Sequence, residues 1–385
     1  MSKFKIASIV GARPQFIKAA AVSRAFANGF SDKVQEILIH SGQHYDDNMS
    51  KVFFDEMEIP KPAYDLGVGS GTHGSMLAAI ISKTEEVLLR EKPQMVLVYG
   101  DTNTTLGGAL AAAKLNIPVA HVEAGLRSFN KSMPEEVNRV VVDHLSTLLF
   151  SPTETGVRNL FHEGFSTDNL PPYTADNPKI FHCGDVMYDT ALYFLPKAEK
   201  TSSILKQLQL EEKEFALCTI HRNNNTDEPE RLSAILGSLD VISRKYGLPI
   251  VFPVHPRTAK MMAAMPDQSL VAKIDSNPYI LRIPPVGYFD MLILESRSRI
   301  ILTDSGGVQK ESYFYKKPCV VLRAETEWTE LVEHKTALLA NADKDLILNS
   351  FHSLFNNPPK NFPPLYGDGN AAGFICHEIT SFLNS

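Results

Sequence analysis

The stretch HVEAGLRSFNKSMPEEVNR, residues 121–139, places three carboxylates (Glu123, Glu135, Glu136), His121 and two arginines around one glycine and one proline, directly after the apolar run IPVA. A carboxylate at the end of an apolar strand is costly to desolvate. Glu123 is therefore expected either to pair with a cation such as Arg127 or to carry a raised pKa suited to proton transfer. On a strand, His121 and Glu123 would point to one face. Asp101, in VYGDTNTTLGG, follows a second apolar run. Taken singly, Asp101 and Glu135 read equally well as helix caps, and Glu123 as half of a structural ion pair. Three carboxylates arriving from neighbouring strand ends are harder to dismiss as structural, and proton transfer is the chemistry they would suit.

A different chemistry is written in SRIILTDSGGVQKESYF. A strand ends at Asp304, Ser305, Gly306 and Gly307 and a helix starts at once, so small residues let phosphate oxygens reach free backbone N–H groups and the positive end of the helix dipole. Glu311, one turn inside, could accept both hydroxyls of a ribose. The plainer reading is that Asp304 or Ser305 is a helix cap. GSGTHG at 69–74 matches the dinucleotide pattern GxGxxG but lacks a convincing strand before it, which favours a flexible loop. His40 and His44 have the spacing of a zinc pair on a helix, yet Gly42 and the preceding strand EILIH argue for a loop. No metal is expected.

These residues need elements to hold them, and short β-rich apolar runs alternate with helical patterns along the whole chain. FKIASIV, VQEILIHS, MVLVYG, IPVAHVE and STLLFSP read as strands of a first unit, with helices at IKAAAVSRAFAN, near NMSKVFFDEM and at LGGALAAAKL. After the polar interval DNLPPYTADNPK the pattern restarts with FALCTI, LPIVFPVH, YILRIPP, SRIILTDSG and KPCVVLR. The fold class is α/β, with two doubly wound Rossmann-like domains, 1–183 and 184–367, and a C-terminal helix, 368–385, packing back on the first. Ligands of such sheets lie beyond the strand carboxyl ends, so a cleft faced by both domains is the expected site.

Composition limits the partners. A net charge of −6 and a pI near 6.1 do not suggest a broad nucleic-acid-binding face. The four cysteines, Cys183, Cys218, Cys319 and Cys376, show no CxxC or zinc spacing and read as buried thiols of a reducing compartment. IASIV is too short for a signal peptide core and no run is long enough to span a membrane. A cytoplasmic enzyme with a small-molecule partner is expected.

Together, GARPQFIK, SGQH, GDTNTTLGGALAA, HVEAGLRS, PEEVNR, FSPTE, GDVMYD, HR at 221–222, HPRT and LTDSGGVQKE, in that order, resemble the non-hydrolysing UDP-N-acetylglucosamine 2-epimerase family, of glycosyltransferase-B architecture. The resemblance covers nearly the whole chain. It implies catalytic roles for Asp101, Glu123 and Glu135, and a role for His221 at the departing UDP. It also implies nucleotide and substrate contacts from Arg13 and Lys18, a diphosphate turn at Ser305, Gly306 and Gly307, and a ribose acceptor in Glu311. A UDP-sugar partner, no cofactor, no nucleic acid, no membrane and a homodimer go with it. The usual GTRPE, however, is GARPQ here, the usual acid before Glu311 is Lys310, and Trp328 replaces an arginine. These variants resemble the branch acting on UDP-2,3-diacetamido-2,3-dideoxyglucuronate. Taken alone, Lys310 would face solvent as most lysines do.

Overall fold

The structure, a computed structural model, describes residues 3–42 and 57–385. The helix expected near NMSKVFFDEM and the residue His44 lie outside the described residues. The chain divides into two compact units, 1–192 with 364–385, and 193–363.

The first unit holds a parallel sheet of β1 (Phe4–Val10), β2 (Val34–His40), β3 (Tyr64–Asp65), β4 (Met95–Tyr99), β5 (Val119–Val122), β6 (Leu148–Ser151) and β7 (Lys179–His182). Its order is β3-β2-β1-β4-β5-β6-β7. β4, β5 and β6 are buried along their whole length, as strands covered on both faces by crossover helices must be. The second unit holds β8 (Ala216–Thr219), β9 (Ile250–Pro253), β10 (Ile280–Ile283), β11 (Ile300–Thr303), β12 (Cys319–Val321) and β13 (Ala337–Leu339). Its order is β10-β9-β8-β11-β12-β13, again parallel. In each unit the order reverses beside the first strand, between β1 and β4 and between β8 and β11. The loops leaving those strands part there and leave a crevice.

The three strands absent from the sequence reading are β3, β7 and β13, all at sheet edges. Edge strands pair on one side only, so two or three residues suffice and partial exposure weakens the apolar signal. β7, KIFH, has one buried residue of four.

The division between units falls after Leu192 and again after Pro363, rather than at the expected 183 and 367. Local bonds explain the first shift. Asp185 N–H donates to the Tyr366 carbonyl at 3.0 Å, and the Thr190 hydroxyl donates to the Ile17 carbonyl at 2.9 Å. Asp189 accepts from Ala371 N and Ala372 N at 3.2 and 2.7 Å. The start of the helix Val186–Thr201 is thus tied to the C-terminal helix Ala371–Asn384. All four cysteines are free thiols, three of them buried. Among the described residues no helix is long and apolar enough to cross a membrane.

Burial pushes the Asp189 carboxyl up to about 6, against the two N–H donors that favour its charge. Because this lies above the usual aspartate value of 3.8, the folded protein holds a proton that the unfolded chain has already released between about pH 4 and 6. Stability from this group is therefore lost as pH rises through that window. Asp189→Asn removes the effect. Its stability relative to wild type should rise by up to about 3 kcal/mol between pH 4 and pH 7, read as unfolding midpoints by calorimetry. A difference that stays flat with pH would exclude this role for Asp189.

Candidate active site

In the first unit the loops after β1, β4 and β5 lie side by side because those strands are neighbours. Lys18, on the helix Arg13–Gly29 that follows β1, reaches Glu123 at 3.1 Å, and both side chains are less than a tenth exposed. The partner of Glu123 is therefore Lys18, not the expected Arg127. Arg127 turns the other way, to Asp143 at 2.8 Å and Glu163 at 2.6 Å. Glu123 lies just past the end of β5, with φ of 78°. That left-handed backbone costs a non-glycine residue roughly 1–3 kcal/mol and is held by its surroundings. Here Glu123 N–H and Ala124 N–H both donate to the Phe150 carbonyl at 3.0 Å.

Gly125 follows, with φ of 80°. A Cβ there would stand 2.4 Å from the Gly156 carbonyl oxygen, so the EAG turn sits backbone to backbone on the helix Glu154–His162. Only glycine permits that approach.

Asp101, just past β4, is ion-paired with Arg139, and its carbonyl accepts from Asn138 at 2.8 Å. Burial pushes its carboxyl up. Arg139 opposes this, Glu123 adds to it, Lys18 opposes it and Glu135 adds to it, with a net upward shift. Asp101, Glu123, Glu135 and Lys18 thus form one electrostatic cluster, and a carboxylate raised toward neutrality in such company is suited to moving a proton. Glu135 stands half-buried in the first turn of the helix Pro134–Leu145.

Glu136 beside it is structural. Its oxygens accept from Ser128 N at 2.8 Å, Phe129 N at 3.0 Å and Arg139 at 2.8 Å. Burial works against its charge, but these donors outweigh it and hold the carboxyl below the usual range. His121, two residues before Glu123, lies within β5. It is fully buried, Nδ1 at 2.7 Å from Asp143 and Nε2 at 2.8 Å from the Gly100 carbonyl.

The GARPQ loop is fastened by a residue the sequence reading noted only as a variant. The Gln15 oxygen accepts from Gly11 N at 2.9 Å and Ala12 N at 3.0 Å, while its nitrogen donates to the Tyr99 carbonyl and to Thr105, both at 3.0 Å. A glutamate could supply only the accepting half. The side chain of Arg13 lies outside what the structure describes.

In the second unit Asp304 is fully buried, and the helix cap is Ser305, not Asp304. Its carboxylate accepts from His221 N at 3.1 Å, Arg222 N at 3.0 Å and Asn225 at 3.1 Å. His221 Nδ1 lies 3.3 Å from it. One carboxylate thereby positions the HR loop after β8 against the turn after β11. Ser305 caps the helix Gly306–Phe314, weakly, through Val308 N at 3.4 Å.

A Cβ on Gly306 would meet Glu327 Oε1 at 2.2 Å, so the turn abuts the segment that carries Glu327 and Trp328. Arg323 holds Glu327 at 2.9 Å. Lys310 does not face solvent. It is 1% exposed, with its ammonium 4.2 Å from the Trp328 ring centre, a cation–π contact. The two unusual residues are partners. Glu311 is buried one turn into the same helix.

Of GSGTHG, residues 69–71 form a loop and Thr72 caps the helix His73–Glu91, which takes up the last two residues; only the two-residue β3 precedes it. His40 lies 3.5 Å from Asp65. Among the described residues no group of three or more His, Cys, Asp or Glu is arranged to hold a metal.

Comparison with known proteins agrees with this geometry. The family profile for UDP-N-acetylglucosamine 2-epimerase matches residues 29–380. A UDP-N-acetylglucosamine 2-epimerase homolog of Methanococcus maripaludis is 48% identical over 97% of this chain and 99% of its own. The UDP-2,3-diacetamido-2,3-dideoxy-D-glucuronate 2-epimerase of Pseudomonas aeruginosa is 44% identical over 97% and 99%. A crystal structure of the Methanocaldococcus jannaschii UDP-GlcNAc 2-epimerase in complex with UDP-GlcNAc and UDP is similar with a TM-score of 0.87 and 40% identity, covering 99% of this chain and 100% of that one. With the two Rossmann-like units and their strand-end carboxylates, these similarities mean that the chain belongs to the UDP-N-acetylglucosamine 2-epimerase family of isomerases.

Proposed function

We propose that this chain inverts C2 of a UDP-N-acetylhexosamine by elimination and re-addition of UDP, and that its substrate is UDP-2,3-diacetamido-2,3-dideoxyglucuronate. The observation that carries the mechanism is the cluster of Asp101, Glu123 and Glu135, with the Asp101 carboxyl pushed up by burial. In the first half-reaction a carboxylate takes the C2 proton. The C–H electron pair becomes the C1–C2 double bond of a 2-acetamidoglucal, and the C1–O bond breaks with its pair leaving on UDP. In the second half a different group returns a proton to the opposite face of C2 as UDP re-adds at C1. Two faces require two acid–base groups, and a site with three carboxylates meets that need.

In this reading His221, oriented by Asp304, and the Ser305–Gly306–Gly307 turn stabilise charge on the departing diphosphate. Arg13 and Lys18 contact nucleotide and substrate, and Glu311 accepts the ribose. Lys18 also places a cation 3.1 Å from Glu123. Formation of the surface-polysaccharide precursor in a homodimeric cytoplasmic enzyme is the setting we infer.

For the substrate, two observations support the uronate: the 44% identity to the Pseudomonas enzyme, and the Lys310–Trp328 pair, which changes charge and shape together beside the diphosphate turn. The second reading is UDP-N-acetylglucosamine itself, favoured by the Methanococcus relative.

Two outcomes are expected. Asp101→Asn, Glu123→Gln and Glu135→Gln should each lower kcat by a factor on the order of 100 or more, while UDP binding by calorimetry stays near wild type. Three variants that turn over normally would make these residues structural ion pairs. In deuterated water the product should carry deuterium at C2 by NMR, and kcat/KM should favour the diacetamido-uronate over UDP-N-acetylglucosamine. A site built around hydrogen bonds to the extra groups discriminates on the order of 10,000-fold. The reverse preference would overturn the substrate assignment and leave the epimerase mechanism standing.

A further inference from the structure

His121 and Asp143 take no part in the chemistry just described, yet they connect the elements that do. His121, in β5, sends Nε2 to the carbonyl of Gly100 at 2.8 Å. A peptide unit is planar, so fixing that carbonyl fixes the N–H and Cα of the next residue, Asp101. Gly100 has φ of 64° and would otherwise leave this peptide free to turn. The other ring nitrogen, Nδ1, meets Asp143 at 2.7 Å.

The second oxygen of Asp143 takes Gly125 N–H at 3.1 Å and Arg127 at 2.8 Å, anchoring the turn that begins with Glu123. Asp143 and His121 are both fully buried. Asp143 also shares a helix, Pro134–Leu145, with Glu135 and with Arg139, the ion-pair partner of Asp101. One imidazole and one carboxylate therefore span the distance between two of the three acid–base groups.

We propose that the Asp143–His121 pair sets the separation of Asp101 and Glu123, and thereby how often the eliminated intermediate is protonated on the inverted face rather than on the original one. This rests on the catalytic reading of Asp101 and Glu123 given above. The two residues are positioning residues, since they act only through the Gly100–Asp101 peptide and the Glu123–Gly125 turn. Re-addition of a proton needs the acid on the correct face within reach of C2. A small displacement of one carboxylate relative to the other changes which face receives it.

The test is a partition ratio, which does not depend on how much of a preparation is folded. Wild type, Asp143→Asn, His121→Gln, Asp101→Asn and Glu123→Gln are each incubated with the UDP-sugar in deuterated water and stopped at low conversion. Deuterium at C2 is then compared between recovered starting epimer and inverted epimer. Asp143→Asn and His121→Gln should shift label toward the starting epimer by a factor of about three or more with KM little changed. The double variant should be no worse than the more affected single one, as expected of groups acting in one chain. Should Asp143→Asn fail to fold, His121→Gln carries the same test with the Asp143–Arg127 pair left in place. A wild-type ratio in a variant whose turnover has dropped would overturn the inference and make the pair a stiffening element only. Normal turnover in both Asp101→Asn and Glu123→Gln would instead overturn the catalytic reading beneath it, and the inference with it.

Discussion

A carboxylate removed from water must find donors for all its lone pairs, and each unit of this protein uses that requirement to hold its strand-end loops. Asp143 and Asp304 are both fully buried. Asp143 gathers His121, Gly125 N–H and Arg127. Asp304 gathers His221, Arg222 N–H and Asn225. Loss of one partner from such an arrangement leaves an uncompensated buried charge, typically about 3–5 kcal/mol, so the loops they bind are held in one arrangement. Glu136 repeats the device for Ser128 and Phe129.

That rigidity is what allows Glu123 to stay in a left-handed backbone and Asp101 to keep a carboxyl raised by burial. The cluster of Asp101, Glu123 and Glu135 is thus partly exposed and electrostatically frustrated, while the charges behind it are matched. Burial also opposes the charge of Asp143, yet His121 and Arg127 bring its carboxyl below the usual range. Neighbouring carboxylates therefore have opposite tendencies, set by whether donors or other acids surround them. The same contrast separates Glu136, with its donors, from Asp101, whose surroundings include Glu123 and Glu135.

In the second unit the turn at Ser305–Gly307 is shaped from the side by Glu327 and Trp328 as well as by its own glycines. Lys310 packing on Trp328 makes the two family variants a single change of chemistry: an acid and an arginine at these positions could form a salt bridge, whereas a lysine and a tryptophan interact through charge and ring quadrupole. Their burial explains why Lys310 departs from the solvent-facing behaviour of most lysines.

Much of this was legible before any coordinates. The long apolar runs marked the interior strands because a parallel sheet covered on both faces needs continuous hydrophobic sequence, and acids placed directly after such runs had to lie at strand carboxyl ends. Edge strands such as KIFH carried too little apolar sequence to be seen. The sequence by itself therefore determined the α/β class, the two units, the strand-end position of Asp101, Glu123 and His221, and the family. Only the tertiary structure decided which charges meet. Lys18 follows β1, Asp101 follows β4 and Glu123 follows β5, and these strands are neighbours in space although β1 and β4 are not consecutive in the chain. Arg127, four residues from Glu123, was the nearer cation in sequence, but the turn through Gly125 sends it toward Asp143. Pairing in a buried site follows strand order and backbone direction, and neither can be read from the spacing of residues along the chain.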